Sequence, residues 1–425
     1  MSPSTHAAHL LAKYLAEYER ENPTSRDLIR DASNYLPGGT TRATLAQDPF
    51  PVVMLSGKDA ELTSADGRPY VDYVSEYFAG IYGHSHPDIM AAIADTAQSG
   101  LGYGSPHPAE AELAKLLVDR FPSVDRIRFC NSASEANIFA AAAALSFTRR
   151  TKVLVFENGY HGGGMSFVSA GRKNPLNVPH DYFYGAFNDI EKTKLVLEGP
   201  DRHDIAVVMV EPMQGAGGAI VADRGFLEYL REATARIGAV LLFDETITSR
   251  LAYGGLQTQL GVVPDMTTMG KHFGGGFSFG AFGGRADIMA QFDPHSPSHL
   301  HHSGTFNNNV FSMKVGAVGT RLLTDERLTS LNALGDGLRS RLQKVLGAKD
   351  PARKLAAITG FGSIIGVGWV SAEGATHRDL FYHFSLSKGI YIGHRGFMAL
   401  NFAHEQRHID SLAEAFEEFI DLIGI

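Results

Sequence analysis

The chain has 425 residues, of which 44% are hydrophobic and 20% charged. This is ordinary globular composition with apolar material for a large core, and it excludes a fibre or a disordered tail. Lys and Arg number 38 against 46 Asp and Glu, for a formal charge of -8; no basic stripe recommends a nucleic-acid partner, so a small-molecule substrate is expected. The single cysteine, Cys130, excludes an intramolecular disulfide and suits a reducing compartment. No apolar run approaches the ~18 residues that cross a bilayer. The opening stretch lacks a secretion signature and carries Glu17, Glu19, Glu21 and Asp27, so a cytoplasmic setting is expected.

In chain order, residues 1–80 read as an N-terminal segment, with a helix over Ala7 to Glu21 and a hairpin around Glu61 to Tyr70, where Asp66-Gly67 marks the turn. Residues 81–318 read as the large domain. Its apolar runs, Ile127 to Cys130, Lys152 to Phe156, Ile205 to Val210 and Ala239 to Phe243, alternate with helical patterns over Ala136 to Arg150 and Phe226 to Ile237. That alternation predicts an α/β fold, a mostly parallel sheet flanked by helices, with the last three runs buried on both faces. Residues 319–425 read as a smaller C-terminal domain, with helices over Leu331 to Leu346 and Ile409 to Leu422 flanking a strand at Ser363 to Val370. Together the N- and C-terminal segments suit a smaller α+β domain.

Each of the four runs ends in polar or glycine-rich residues: Asn131 to Ser134, Glu157 to Gly164, Glu211 to Gly218, and Asp244-Glu245. Open α/β sheets bind ligands at that edge, so the four loops define one candidate site. Ser132 and Glu135 have capping-box spacing at a helix start, which either caps the helix or also receives an anion. Lys271 sits between an apolar-polar run and Gly274-Gly275-Gly276; it is either a solvated surface lysine or a partly desolvated amine fit for a Schiff base. Asp244 follows an apolar strand and needs a cationic partner, which a protonated pyridine nitrogen would supply; a helix cap or metal ligand is the alternative. Tyr160 either packs in the core or stacks on a planar cofactor. The histidines His84, His86, His299, His301 and His302 lack metal-ligand spacing, so no metal is expected. The glycine-rich runs also fail the phosphate-loop and dinucleotide patterns.

In this order the motifs resemble the class III aminotransferases of the fold type I pyridoxal 5'-phosphate (PLP) enzymes, over roughly residues 35 to 405. Asn131 to Asn137 looks like the family's N-S-G-T-E-A phosphate loop, Phe243-Asp244-Glu245 like its F-D-E, and Thr268 to Lys271 like its T-x-G-K. Glu211 to Gly215 and Phe279 to Arg285 extend the match to the glutamate-1-semialdehyde aminomutase-like branch. Within it, Tyr82 to Ser85, Thr248 to Ala252 and His302 to Asn309 look like the β-amino-acid (β-phenylalanine) aminotransferases. The resemblance implies that Lys271 holds PLP as a Schiff base and moves protons, and that Asp244 binds the pyridinium. Tyr160 would cover the ring, and Ser132, Ala133 and Ser134 would hold the phosphate. Glu211 and Gln214 would join the cofactor site, with Gln214 near the ring hydroxyl. Thr305, in Ser303-Gly304-Thr305, would reach the phosphate of a neighbouring subunit, implying a homodimer with shared sites. Arg42 and Arg395 match positions where β-amino-acid enzymes grip a carboxylate, and arginine's fork suits that task. Ala133-Ser134 replaces the usual Gly-Thr but keeps a hydroxyl.

The expected activity is transfer of an amino group from a β-amino acid or related amine to a keto acid, 2-oxoglutarate or pyruvate. An intramolecular aminomutase is the alternative; the aminomutases typically read S-G-N-P where this chain has Thr305 to Asn309, which favours transamination. A non-catalytic PLP-binding protein is a third reading, against which the joint presence of Lys271, Asp244 and Tyr160 speaks.

Overall fold

The computed structural model describes residues 3–168 and 174–424. The chain divides into two units, one formed by Pro87–Ser330 and one by Met1–His86 with Leu331–Ile425.

The first unit is built on a seven-stranded sheet. In chain order its strands are β1 (Arg126–Cys130), β2 (Lys152–Phe156), β3 (Asp181–Gly185), β4 (Ile205–Val210), β5 (Val240–Asp244), β6 (Met266–Gly270) and β7 (Gly280–Gly284). Their spatial order is β1-β7-β6-β5-β4-β2-β3. β7 runs antiparallel to both its neighbours and the other pairs are parallel. Alternation along β2, β4 and β5 explains why these runs are continuously apolar. Val153, Val155, Met209 and Leu242 enter one core with Ala136, Ala140, Ala143 and Ala144 of the helix Ala133–Thr148. Leu154, Phe156, Val208, Leu241 and Phe243 enter a second core with Phe226, Leu227, Leu230 and Ala233 of the helix Arg224–Ile237. Both faces of the sheet are therefore covered, as its apolar runs require.

Three strands carried no clear signal. β7 reads Gly-Ala-Phe-Gly-Gly, a poor strand sequence by propensity. Its glycines are demanded by crowding: a Cβ on Gly280 would lie 2.1 Å from the Ser132 carbonyl oxygen, and one on Gly284 2.5 Å from that of Asp265. β3 is half-exposed at the sheet edge, and β6 mixes Thr with Met. In both, sheet pairing overrides weak local preference.

The second unit has a meander, Met54–Lys58, Glu61–Ser64 and Pro69–Asp72, with the turn at Gly67 (φ 76°). Ile390–Tyr391 adds in parallel to Pro69–Asp72, so the two halves of this unit share a sheet. A second sheet joins Ala356–Phe361, Ile364–Trp369 and Phe397–Ala399. The helix Pro3–Glu21 packs on Gly374–Ser387, and Phe381 makes ring contacts with Trp369, Phe416 and Phe419. Among the described residues no helix is long and apolar enough to cross a membrane.

Candidate active site

The expected convergence of loops is realised at the carboxyl edge of the parallel strands. The helix after β1 starts at Ala133, capped by Ser132, whose side chain accepts from the Glu135 amide at 3.2 Å. The Glu135 carboxylate accepts from the Asn131 amide at 2.8 Å, one residue upstream of the position a capping box would use. The amides of Ala133 and Ser134 lie in the first helical turn, where no intrahelical acceptor exists and the helix dipole favours an anion.

Glycines bring the other loops against this start. A Cβ on Gly270, the last residue of β6, would lie 2.8 Å from the Ala133 Cβ, so the strand end that carries Lys271 abuts the helix start. A Cβ on Gly162 would lie 2.0 Å from the Ser134 Oγ. Lys271 itself is half-buried and holds a left-handed backbone (φ 56°), unusual for a side-chain-bearing residue and typical of functional positions.

Asp244 ends β5 and is buried. Its Oδ2 accepts from Asn137 Nδ2 at 2.8 Å and lies 2.9 Å from His161 Nδ1, while Oδ1 accepts from the Thr246 amide at 3.0 Å. Burial acts to raise the Asp244 carboxyl, but the His161 hydrogen bond and charge, with Thr246, hold it below its ordinary value. Burial likewise opposes the charge on His161, yet Asp244 lifts its pKa above the ordinary value. The result is a buried, ionised carboxylate. Asn137 ties this carboxylate to the framework: its Nδ2 also donates to the His161 carbonyl, and its Oδ1 accepts from Thr268 Oγ1 at 2.5 Å.

The Tyr160 loop folds back on itself. His161 and Met165 are joined backbone to backbone, and Tyr160 bridges Ser166. Glu211, at the end of β4, accepts from the Tyr160 amide at 2.9 Å and the Gly215 amide at 3.1 Å. Burial pushes its carboxyl up to about 7, against the opposing pull of His161. Gln214 is buried and donates to the Glu157 carbonyl at 2.8 Å. Glu211 and Gln214 thus knit two loops together, and Tyr160 is left 44% exposed.

Thr305 lies in an exposed turn of the same unit. That turn is anchored where Asn131 Nδ2 donates to Asn307 Oδ1 at 3.0 Å, and Arg128 Nε donates to His302 Nδ1 at 3.1 Å. His84 pairs with Asp72 at 2.9 Å in the other unit. Among the described residues no group of three or more His, Cys, Asp and Glu side chains is arranged to hold a metal ion.

Arg42 and Arg395 belong to that second unit. Both are exposed, and both act electrostatically on Tyr77: burial raises the Tyr77 hydroxyl, and the two guanidiniums oppose that rise. The Arg42 guanidinium lies 4.3 Å from the Tyr77 ring centroid and donates to Glu76 Oε1 at 2.7 Å. Arg42, Glu76 and Tyr77 line a cavity of about 330 Å³ with Tyr382 and Tyr391.

The family model described as aminotransferase class-III matches residues 43–420. The chain belongs to the class III aminotransferases. It is 41% identical to the β-phenylalanine transaminase of Variovorax paradoxus, over 98% of this chain and 97% of the relative. The crystal structure of a β-phenylalanine aminotransferase from that organism superimposes with a TM-score of 0.93 at 40% identity, covering 98% and 97% of the two chains. A glutamate-1-semialdehyde 2,1-aminomutase of Methanothermobacter thermautotrophicus is 33% identical over 93% of this chain and 98% of its own length. Class III aminotransferases use PLP, an amine donor and a keto-acid acceptor, so this aminotransferase is a PLP-dependent transaminase of mixed α/β fold.

The residues present suit the cofactor. An ionised carboxylate fixed by two side chains suits a protonated ring nitrogen, and an amide-rich helix start suits a phosphate. An exposed tyrosine suits a flat ring. The motifs of this aminotransferase assign no task to His161, Asn137 or Thr268. An asparagine inside an alanine-rich helix was the one signal available, because a buried amide there needs partners.

Proposed function

We propose that this aminotransferase moves the amino group of a β-amino acid to 2-oxoglutarate or pyruvate, with Arg42 receiving the donor's carboxylate. The observation that carries the donor class is Arg42 spread over the Tyr77 ring in a cavity lined by tyrosines, which joins a carboxylate grip to an aromatic wall. The 41% identity to a β-phenylalanine transaminase supports it.

In this reading Lys271 carries PLP, which when bound supplies an electron sink for the carbon bearing the amine. The Lys271 Nζ takes the proton from that carbon and returns one during amino transfer. Asp244, kept ionised by His161 and Asn137, holds the ring nitrogen protonated. Tyr160 stacks on the ring, Glu211 and Gln214 set the loops beside it, and Ser132, Ala133 and Ser134 bind the phosphate. Arg395 supports the carboxylate grip beside Tyr77. Thr305 completes the phosphate site of a second copy, so the enzyme works as a homodimer, in the cytoplasm, where the buried free Cys130 stays reduced.

The test is a donor and acceptor screen of the purified holoenzyme. Appearance of glutamate or alanine from 3-amino-3-phenylpropanoate and the matching keto acid is expected. Product formation from a γ-amino aldehyde acid with no keto acid, and none from β-amino acids, would instead select the aminomutase reading, which the 33% identity to such an enzyme keeps as the second possibility.

A further inference from the structure

Residues Ser75, Glu76, Tyr77 and Phe78 form an unbroken left-handed stretch, with φ values of 45°, 47°, 51° and 79°. No glycine relieves it, and side-chain-bearing residues avoid this region except where their surroundings impose it. The surroundings do so here. The buried Asp72 carboxylate accepts from the amides of Val74 and Ser75 at 2.8 and 3.1 Å and is braced by His84. Ser75 Oγ donates to the Ala399 carbonyl at 2.8 Å. Within the stretch, Tyr77 and Phe78 both pack on the Phe397 ring, and the Tyr77 hydroxyl donates to the Thr44 carbonyl at 3.1 Å.

The product of this construction is the placement of two consecutive side chains on one guanidinium. Tyr77 lies beneath Arg42, and Glu76 caps it through a single contact at 2.7 Å. The backbone of Glu76 is rigidly specified, but its side chain is 65% exposed, so the carboxylate can leave without disturbing the fold.

We propose that Glu76 is a specificity-determining residue, an internal stand-in for the donor's carboxylate that occupies Arg42 until a carboxylated donor displaces it. The inference rests on the reading of Arg42 as the carboxylate grip. An exposed, one-contact ion pair is weak, whereas a ligand carboxylate seated on the guanidinium fork and sheltered by the tyrosines gains two charge-assisted hydrogen bonds. The exchange therefore favours a donor that fits the cavity. An amine without a carboxylate leaves the pair intact and feels no competition from Glu76.

The experiment compares wild-type holoenzyme with Glu76→Gln, Arg42→Gln and the double variant. Calorimetric titration uses 3-phenylpropanoate, which carries the carboxylate but no amine to transfer; kinetics use 3-amino-3-phenylpropanoate and 1-phenylethylamine. In Glu76→Gln, 3-phenylpropanoate is expected to bind about two- to five-fold tighter, the span set by an exposed ion pair. The KM for 3-amino-3-phenylpropanoate should fall by the same factor at unchanged kcat, that for 1-phenylethylamine should not move, and the gain should vanish in the double variant. Unchanged or weaker 3-phenylpropanoate binding in Glu76→Gln, with clear weakening in Arg42→Gln, overturns the role of Glu76 and leaves the Arg42 reading standing. An equal gain for 1-phenylethylamine overturns it as well. If Arg42→Gln binds 3-phenylpropanoate as the wild type does, the Arg42 reading is what fails.

Discussion

His161 Nδ1 lies 2.9 Å from Asp244 Oδ2 with both side chains buried, so the carboxylate at the end of β5 already has, within its own unit, a partner whose positive charge it favours. Two consequences follow from the pairing. It keeps Asp244 ionised where burial alone would protonate it, and it makes removal of His161 costly, because the carboxylate left behind must either stay charged away from water or take up a proton.

His161→Leu is therefore expected to destabilise the apoprotein by about 3–5 kcal/mol, the usual cost of breaking a buried pair from one side. Denaturant unfolding measures this. PLP retention on gel filtration should fall in parallel, since a protonated Asp244 no longer favours a pyridinium.

Lys271 separates chemistry from strain. Both Lys271→Ala and Lys271→Gly should abolish amino transfer and the amine-induced change in the visible spectrum. At φ 56° only glycine is at ease, so the Gly variant should unfold at higher denaturant than the Ala variant, by about 0.5–1 kcal/mol. Equal midpoints would show that the local backbone carries no strain.

Glu211 should leave a pH signature. Its carboxyl stands at about 7 in the folded protein against 4.5 ordinarily. A raised acid contributes stability that is complete below pH 4.5 and is lost as pH rises through about 7. Since His161 shares the charge, the loss is on the order of 1–3 kcal/mol. Glu211→Gln should flatten the dependence of unfolding free energy on pH across that window; an unaltered slope would exclude Glu211 as its source.

Gly162 is where two loops meet. Gly162→Ala adds a Cβ 2.0 Å from the Ser134 Oγ at a backbone φ of 105°, and should cost about 2–4 kcal/mol from overpacking and strain combined. PLP affinity should drop with it, while the neighbouring Gly163→Ala, with nothing within 4 Å of its Cβ, should be tolerated.

The chain order of motifs, the parallel strands buried on both faces and the polar edge at which they end were legible in the sequence by itself, because alternating apolar runs and helical patterns are local signals. So were Lys271, Asp244 and Tyr160 as residues of interest, since each follows a recognisable run. Tertiary structure alone decided which groups meet. β7 exists because glycines let it lie against Ser132 and Asp265, a reason invisible to strand propensity. His161, Asn137 and Thr268 converge on Asp244 from three separate elements, and Glu211 turns out to bind loop amides. Arg42 is joined to Glu76 by a left-handed turn that no residue of that stretch prefers. Local preference is written residue by residue, whereas the partners of a buried charge and the strain a backbone will bear are set by everything packed around them.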